Sequence, residues 1–210
     1  MPRFESRLLL VTDRQQTLGR PMLPLLEEVL RVGAPAVQLR ERDLYSRELL
    51  SLARDVQQLT RRCASPLVIN DRIDLALTLN DVGVHLRSNS LPVFAGRRVL
   101  GADRLLGVSA HSMEEVVRAE SEGADYVVFG PIYATPSKEL FGPPLGLREL
   151  ETVCRNVRIP VVGIGGITAA RVMEVRRAGA FGVAVITAIL SAADVERATR
   201  EMLDALASSL

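Results

Sequence analysis

Cysteine and long apolar runs are both scarce in this chain, and each shortage excludes a class of protein. The two cysteines, Cys63 and Cys154, lie far apart and lack the paired spacing of a metal site. We expect both to be buried free thiols in a reducing compartment. No run approaches the roughly 18 consecutive apolar residues of a membrane-spanning helix. Residues 1–7 do not resemble a signal peptide, so a cytoplasmic location is predicted.

Excess charge of either sign is also lacking. The 26 basic and 25 acidic residues leave a formal net charge of +1, which favours neither nucleic acid nor a membrane surface as a partner. A bound anion must therefore be held by local groups. Lysine is nearly absent, because Lys138 is the single lysine among the basic residues. The presence of this one lysine is explained either by chance or by a position that requires a compact ammonium group.

What the chain does have is a regular alternation of apolar runs and amphipathic segments over 210 residues. Continuous Val-, Ile- and Leu-rich runs are typical of strands that are covered on both faces. Eight of them, each followed by a helix-like segment, predict an α/β fold, a (β/α)8 TIM barrel forming one domain over residues 1–210. The predicted strands are residues 8–11, 36–39, 67–69, 83–86, 105–108, 126–129, 161–164 and 182–186, and the predicted helices are residues 23–32, 46–63, 73–79, 91–100, 113–122, 147–157, 169–178 and 192–206.

An open, doubly wound sheet is the alternative architecture. That fold places a glycine-rich turn after its first strand, whereas residues 12–15 here read Thr-Asp-Arg-Gln. In a closed barrel the ligand site is built from residues that follow the strands. The positions after each predicted strand are therefore the candidates for function.

The second predicted strand leads into three polar side chains. Strand alternation directs Gln38, Arg40 and Arg42 to one side, and guanidinium groups bind phosphate oxygens in a bidentate manner. The alternative is a surface ladder of ion pairs with Glu41 and Asp43.

The third strand is followed by an amide and a carboxylate. Asn70 and Asp71 suit a Mg²⁺ ion that also contacts a substrate phosphate. The alternative is that Asp71 or Asp74 caps the next helix. After the fifth strand, Ser109 and His111 are candidates for polar catalysis, but no triad partner is identifiable.

The last three strands precede loops suited to anions. Residues 130–138 are long and rich in glycine and proline, which is typical of a binding loop or lid. Thr135, Ser137 and Lys138 could form an anion cradle within it. The glycines after the seventh strand open the backbone N–H groups to a ligand, and the loops after strands seven and eight often hold phosphate in barrels. The predicted phosphate-binding residues are Gly165, Gly166, Ile186 and Thr187.

Taken in order, these motifs resemble the thiamine-phosphate synthase family, together with its relative, the thiazole tautomerase. The similarity extends over nearly the whole chain. It is carried by residues 10–14 (LVTDR), 38–42 (QLRER), 70–71 (ND), 74–76 (DLA), 83–86 (GVHL), 107–111 (GVSAH), 123–126 (GADY), 130–132 (GPI), 135–138 (TPSK) and 165–168 (GGIT).

The resemblance implies a reaction in which 4-amino-5-hydroxymethyl-2-methylpyrimidine diphosphate is joined to 4-methyl-5-hydroxyethylthiazole phosphate. The products would be thiamine phosphate and pyrophosphate. Ser109, Lys138 and Arg40 would be catalytic, with a Mg²⁺ cofactor on Asp71. By the same resemblance, the diphosphate would be held by Gln38, Arg40, Arg42, Asn70 and Lys138, the thiazole side would be lined by Thr135 and Ser137, and the thiazole phosphate would be bound at Gly165, Gly166, Ile186 and Thr187.

The chain departs from the family pattern at two places. The family usually has lysine where Arg42 stands, which keeps the charge and changes the geometry. Its pattern after the fourth strand is His-Leu-Gly-Gln-x-Asp, and that Asp is a second Mg²⁺ ligand. Here residues 85–90 read HLRSNS, so Ser90 takes the place of the Asp and a weaker Mg²⁺ site is expected. Asn89 could help to bind the metal, and Arg87 could supply some of the missing positive charge.

Two other functions stay open at this point. The tautomerase relative has a catalytic histidine after the sixth strand, where this chain has Pro131, so the sequence favours the synthase. An isomerase that uses His111, or a non-catalytic regulatory protein that binds thiazole phosphate, is the alternative. The expected partners are small phosphorylated pyrimidine and thiazole molecules, and a homodimer is an arrangement that the sequence leaves open.

Overall fold

The structure is a computed structural model that describes residues 4–135 and 143–208. Its eight parallel strands close into a barrel in chain order, because β1 pairs with β8 as well as with β2. The predicted (β/α)8 fold is therefore confirmed. The strands are β1 Leu8–Val11, β2 Ala36–Leu39, β3 Leu67–Asn70, β4 Gly83–Leu86, β5 Leu106–Ala110, β6 Tyr126–Phe129, β7 Val161–Ile164 and β8 Gly182–Val185.

Helices surround the barrel and return the chain to the start of each next strand. The predicted segment 91–100 is helical from Val93, while a short helix after β8 was not predicted because four residues are too few to show a helical period. The helices are α1 Met22–Gly33, α2 Ser46–Arg62, α3 Ile73–Leu77, α4 Val93–Leu100, α5 Met113–Ser121, α6 Gly146–Asn156, α7 Ala169–Arg177, α8 Thr187–Leu190 and α9 Val195–Ala207.

The strands are apolar on both faces because they separate two cores. One core fills the space between the sheet and the helices and includes Leu10, Val37 and Ile69. The other lies inside the barrel. Its buried members are Phe4, Leu9, Val11, Ala36, Tyr126, Val128, Val162 and Ala184.

The interior core rests on an aromatic pair near the N-terminal ends of the strands. The Phe4 ring stacks on the Tyr126 ring with centroids 4.1 Å apart and planes 17° apart. Gly107 makes this possible, since a Cβ there would lie 2.2 Å from Cζ of Tyr126. A small residue on β5 is thus required by a large one on β6.

Polar side chains occupy the interior above this pair. His85 is 1% exposed; its Nδ1 lies 3.1 Å from the Tyr126 hydroxyl and its Nε2 lies 3.0 Å from Oγ of Ser109. Burial lowers the pKa of His85 to about 3, although Asp71 acts in the opposite direction. Burial also raises the pKa of Tyr126. Both groups are therefore neutral at pH 7. They connect the apolar core inside the barrel to the polar side chains near its C-terminal end.

Replacing Gly107 with alanine should destabilise the protein by about 2 kcal/mol, because the new methyl group overpacks against the Tyr126 ring. Urea unfolding measures this change. Tyr126→Leu provides the control, since removing the ring should make the two substitutions less than additive by about 1 kcal/mol. Strict additivity would contradict the assignment of the steric conflict to Tyr126.

Acid should weaken the fold through His85. The unfolded histidine titrates near pH 6.5, so this group's stabilising contribution is complete above that pH and is lost as the pH falls toward about 3. Between pH 7.5 and pH 5, the wild-type protein should lose about 2 kcal/mol more unfolding free energy than His85→Gln. Denaturant titrations at both pH values measure the difference, and an equal loss in the two proteins would contradict it. His111→Gln is the matched control, because it removes an exposed histidine.

Candidate functional site

The candidate site is the C-terminal mouth of the barrel, where all eight strands end together because they are parallel. At β2, Arg40 is largely buried, and its Nη2 donates to Oδ2 of Asp13 at 3.2 Å. Its backbone N–H donates to the Thr12 hydroxyl. Burial is the main cause that lowers the pKa of Arg40, and the positive charge of the nearby Arg42 lowers it further. Asp13 acts in the opposite direction. The loop after β1 therefore fixes the guanidinium at the mouth.

Arg40 and Arg42 do not form the alternative ladder of ion pairs with Glu41 and Asp43. Glu41 is buried and accepts hydrogen bonds from the Thr12 hydroxyl at 2.6 Å and from the Arg14 backbone at 3.0 Å. Burial raises the pKa of this carboxyl group. Asp43 pairs instead with the guanidinium of Arg14. Arg40 is thus held by a carboxylate from the preceding strand end, and Arg42 is exposed.

Gln38 and Asn70 form a second polar pair at the mouth. Nε2 of Gln38 donates to Oδ1 of Asn70 at 3.0 Å, and Gln38 is 4% exposed. With its oxygen engaged, Asn70 keeps its Nδ2 group as a donor. This arrangement suits an acceptor such as a phosphate oxygen.

Asp71 follows β3 with a backbone in the left-handed region, at φ 63°, where its N–H donates to the His85 carbonyl at 2.8 Å. This places its carboxylate beside the end of β4, where Nε and Nη2 of Arg87 both contact Oδ2, at 2.6 and 2.5 Å. The other oxygen, Oδ1, is buried and has no hydrogen-bond partner within residues 4–135 and 143–208. An orphaned carboxylate oxygen of this kind needs an explanation.

The capping alternative for this carboxylate is wrong. Helix α3 begins after Arg72 and has no side-chain capping bond, while Asp74 pairs with the guanidinium of Arg72. Capping therefore does not explain why Asp71 stands at the mouth.

The residues present fit a Mg²⁺ ion that takes much of its coordination from substrate and water. The described part of the chain brings together no group of three His, Cys, Asp or Glu residues that could hold a metal. Asp71 Oδ1 is nevertheless the type of ligand that Mg²⁺ prefers, and one carboxylate plus phosphate oxygens is a common arrangement. Ser90 lies in the turn after β4, where its N–H donates to the Arg87 carbonyl.

Ser109 and His111 have different surroundings. Ser109 belongs to β5, and its hydroxyl contacts the buried His85. His111 is exposed and its Nδ1 lies 2.5 Å from the Gly130 carbonyl, which can only accept a hydrogen bond. Its Nδ1 must then carry the proton. This contact holds His111 against the start of the loop after β6.

The two glycines after β7 are required by close packing. Both have positive φ, 101° at Gly165 and 64° at Gly166. A Cβ on Gly165 would lie 2.6 Å from that of Pro131, and one on Gly166 would lie 2.8 Å from the carbonyl oxygen of Ala134. The loop after β6 therefore runs directly over the turn after β7. Because β7 pairs with β8, this turn is also next to the strand end that precedes Ile186 and Thr187, where α8 begins.

The remaining predicted residues lie at the end of the first described range, residues 4–135, or outside the described residues. Thr135 is the last residue before the gap and is partly buried. Ser137 and Lys138 lie outside the described residues. Their proposed roles remain predictions from the sequence.

A second depression, of about 500 Å³, lies at the N-terminal end of the barrel. Its arginines have structural partners: Arg104 donates to the carbonyls of Ala76 and Leu79, and Arg61 pairs with Asp81. The bonds of Arg104 satisfy backbone carbonyls at the end of α3 and just after it. The C-terminal mouth is therefore the better candidate for chemistry.

Sequence reasoning missed several residues that organise the mouth. Asp13 and Thr12 follow β1 as the other candidates follow their strands, so that position could have been found by the same rule. The Tyr126–His85–Ser109 series has no local signal, because its members come from β6, β4 and β5. Only the pairing of neighbouring strands brings them together.

No helix in the described ranges is long and apolar enough to cross a membrane.

Comparison with known proteins identifies the family to which the chain is similar. The model of the family described as thiamine monophosphate synthase matches residues 8–189. A "putative thiamine-phosphate synthase" of Geobacter sulfurreducens is 43% identical over 203 residues, covering 97% of this chain and 95% of that protein.

Two further similarities point the same way. A thiamine-phosphate synthase of Roseiflexus castenholzii is 44% identical over 197 residues, 94% of this chain and 86% of that protein. The solved structure of thiamine phosphate pyrophosphorylase from Pyrococcus furiosus superposes with a TM-score of 0.89, with 33% identity and 98% of each chain covered. On the combined evidence of its barrel, its mouth and these relatives, the chain belongs to the thiamine-phosphate synthase family of transferases.

Proposed function

We propose that this chain joins hydroxymethylpyrimidine diphosphate to hydroxyethylthiazole phosphate, releasing pyrophosphate and giving thiamine phosphate. The observation that carries the proposal is the convergence of three anion- or metal-binding features on one mouth, in a chain of this family. They are the fixed guanidinium of Arg40, the Gln38–Asn70 pair and the orphaned oxygen of Asp71.

The reaction makes a specific electrostatic demand on the protein. The bond between the methylene carbon of the pyrimidine and the diphosphate oxygen breaks, and its electron pair leaves with pyrophosphate. The lone pair of the thiazole nitrogen then forms the new carbon–nitrogen bond. Negative charge therefore grows on the diphosphate, and donors fixed before the reaction stabilise it most effectively.

Arg40 and Asn70 supply such donors. The contact with Asp13 restricts the Arg40 guanidinium, and the contact with Gln38 leaves the Asn70 amide nitrogen to donate. Arg42, exposed nearby, and Lys138 complete the set of diphosphate-binding residues in this proposal. A Mg²⁺ ion held by Asp71 would supply further positive charge beside the departing group.

Ser109 donates to the departing diphosphate in this scheme, and its neighbours support that role. The Tyr126 hydroxyl can donate to Nδ1 of His85, which leaves the Nε2–H of His85 to donate to Oγ of Ser109. The hydrogen of the Ser109 hydroxyl is then available for the substrate. A neutral histidine is needed here, in agreement with its lowered pKa.

The thiazole phosphate binds the backbone of Gly165, Gly166, Ile186 and Thr187 in this proposal. These residues follow two adjacent strands, and loops at this place hold phosphate in many barrels. Thr135 and Ser137 line the thiazole side. The isomerase alternative would have to use Nε2 of His111, because Nδ1 donates to the Gly130 carbonyl. The cytoplasmic location and the homodimer remain predictions.

The proposal predicts Mg²⁺-dependent formation of thiamine phosphate from the two purified substrates. Lys138→Ala should lower kcat/KM by about 100-fold, because one positive charge at the departing group is lost. Chromatographic measurement of the product, with and without Mg²⁺, tests both points.

Arg62→Ala is the matched control, since it removes one exposed positive charge at the end of α2, on the opposite side of the barrel. It should retain wild-type turnover. Absence of product under all conditions would contradict the proposed reaction, and equal turnover in Lys138→Ala would contradict the role of the lysine.

A further inference from the structure

Arg87 is a side chain at the mouth that the scheme above does not use. It follows β4 directly and reaches across to Asp71 after β3, because Asn70 pairs in register with His85. Both contacting nitrogens of Arg87 approach the same oxygen, Oδ2. The pairing is therefore end-on, and it leaves Oδ1 without a partner among the described residues.

The charges around this pair are unevenly distributed. The turn after β4, residues 87–90, reads Arg-Ser-Asn-Ser and so brings one guanidinium and no carboxylate. Two other carboxylates that the described residues bring to the mouth are engaged: Asp13 pairs with Arg40, and Glu41 accepts from Thr12. Among the described residues, a divalent cation at Asp71 would therefore find little further negative charge.

We propose that Arg87 is a diphosphate-binding residue that shares the carboxylate of Asp71 with the divalent cation, Arg87 on Oδ2 and the cation on Oδ1. This inference rests on the proposed function, because it assigns a diphosphate to the mouth. The shared carboxylate fixes Arg87 next to the cation, and both positive groups then face the same diphosphate. The guanidinium fork is suited to phosphate oxygens.

The sharing has two consequences of opposite sign. Arg87 repels the cation and draws electron density from Asp71, so the free protein binds the cation weakly. A bound diphosphate reverses this effect, since its negative charge attracts both positive groups at once. Cation and diphosphate therefore bind together much better than the cation binds alone.

A purely structural ion pair would behave differently. Arg87 is about half exposed, with 46% of its side-chain surface accessible, and pairs of that kind contribute little to stability. If Arg87 served the fold alone, its removal would leave the affinity for pyrophosphate unchanged. The affinities for metal and for pyrophosphate thus separate the two roles without any need for turnover.

The experiment compares Arg87→Gln with wild type in two binding titrations. Free Mn²⁺, followed by electron paramagnetic resonance, should bind the variant about two- to five-fold more tightly. Inorganic pyrophosphate at saturating Mg²⁺, followed by calorimetry, should bind it about ten-fold more weakly. Arg87→Lys, which keeps the charge and loses the fork, should retain more of the pyrophosphate affinity than Arg87→Gln.

Arg61→Gln is the matched control, because it breaks another exposed Arg–Asp pair, with Asp81, and changes the net charge equally. It should match wild type in both titrations. Pyrophosphate affinity of Arg87→Gln equal to that of Arg61→Gln would overturn the inference, as would weaker Mn²⁺ binding. Absence of thiamine phosphate formation would overturn the proposed function instead, whatever the titrations give.

Discussion

The carboxylate of Asp71 is the group on which the arrangement of the mouth depends. Its backbone sits in the left-handed region against β4, one oxygen holds Arg87, and the other is buried without a partner in the described structure. An unpaired carboxylate oxygen at such a position is costly unless a ligand satisfies it. The folded chain therefore leaves Oδ1 of Asp71 open to a cation or to a hydrogen-bond donor. The neighbouring Gln38–Asn70 pair and the fixed Arg40 add further polar groups to the same mouth.

The apolar half of the barrel supports this polar half. Phe4 stacks on Tyr126, the Tyr126 hydroxyl contacts His85, and His85 contacts Ser109. A side chain at the N-terminal end of the barrel thus helps to orient a hydroxyl at the other end. Gly107 belongs to the same series, because it provides the space for the tyrosine ring. Packing and chemistry are linked here through a few buried contacts.

Much of the fold could be predicted from the sequence, since strands covered on both faces must be apolar throughout. The predicted ends were less accurate. Ser109 was expected just after a strand and lies within β5, because the apolar run ends before the backbone pairing does. Helix α1 ends with Ala34, not the preceding Gly33, in the left-handed region, with φ 46°. Gly33 instead allows α9 to approach, since a Cβ there would lie 2.3 Å from Leu203.

The candidate site was predictable where residues follow their own strand, and less so where they pair across strands. Gln38 and Asn70, near the ends of their strands, and Arg40 and Asp71, directly after those strands, could be placed at the mouth from their positions alone. The partners of these residues could not, because Arg40 with Asp13 and Asp71 with Arg87 are brought together by strand register. The sequence also favoured neither of the two interpretations of Asp71, as a Mg²⁺ ligand or as a helix cap. The structure excludes the capping interpretation, because α3 starts after Arg72 without a capping side chain.

The central claim is that Asp71 holds a divalent cation beside a diphosphate at the mouth of the barrel. Crystals grown with Mn²⁺ and inorganic pyrophosphate test it most directly, through the anomalous scattering of manganese. The account predicts a peak about 2.1 Å from Oδ1 of Asp71, with pyrophosphate oxygens completing the coordination and Arg87 still on Oδ2. Pyrophosphate bound elsewhere, or a manganese peak with no contact to Asp71, would contradict it.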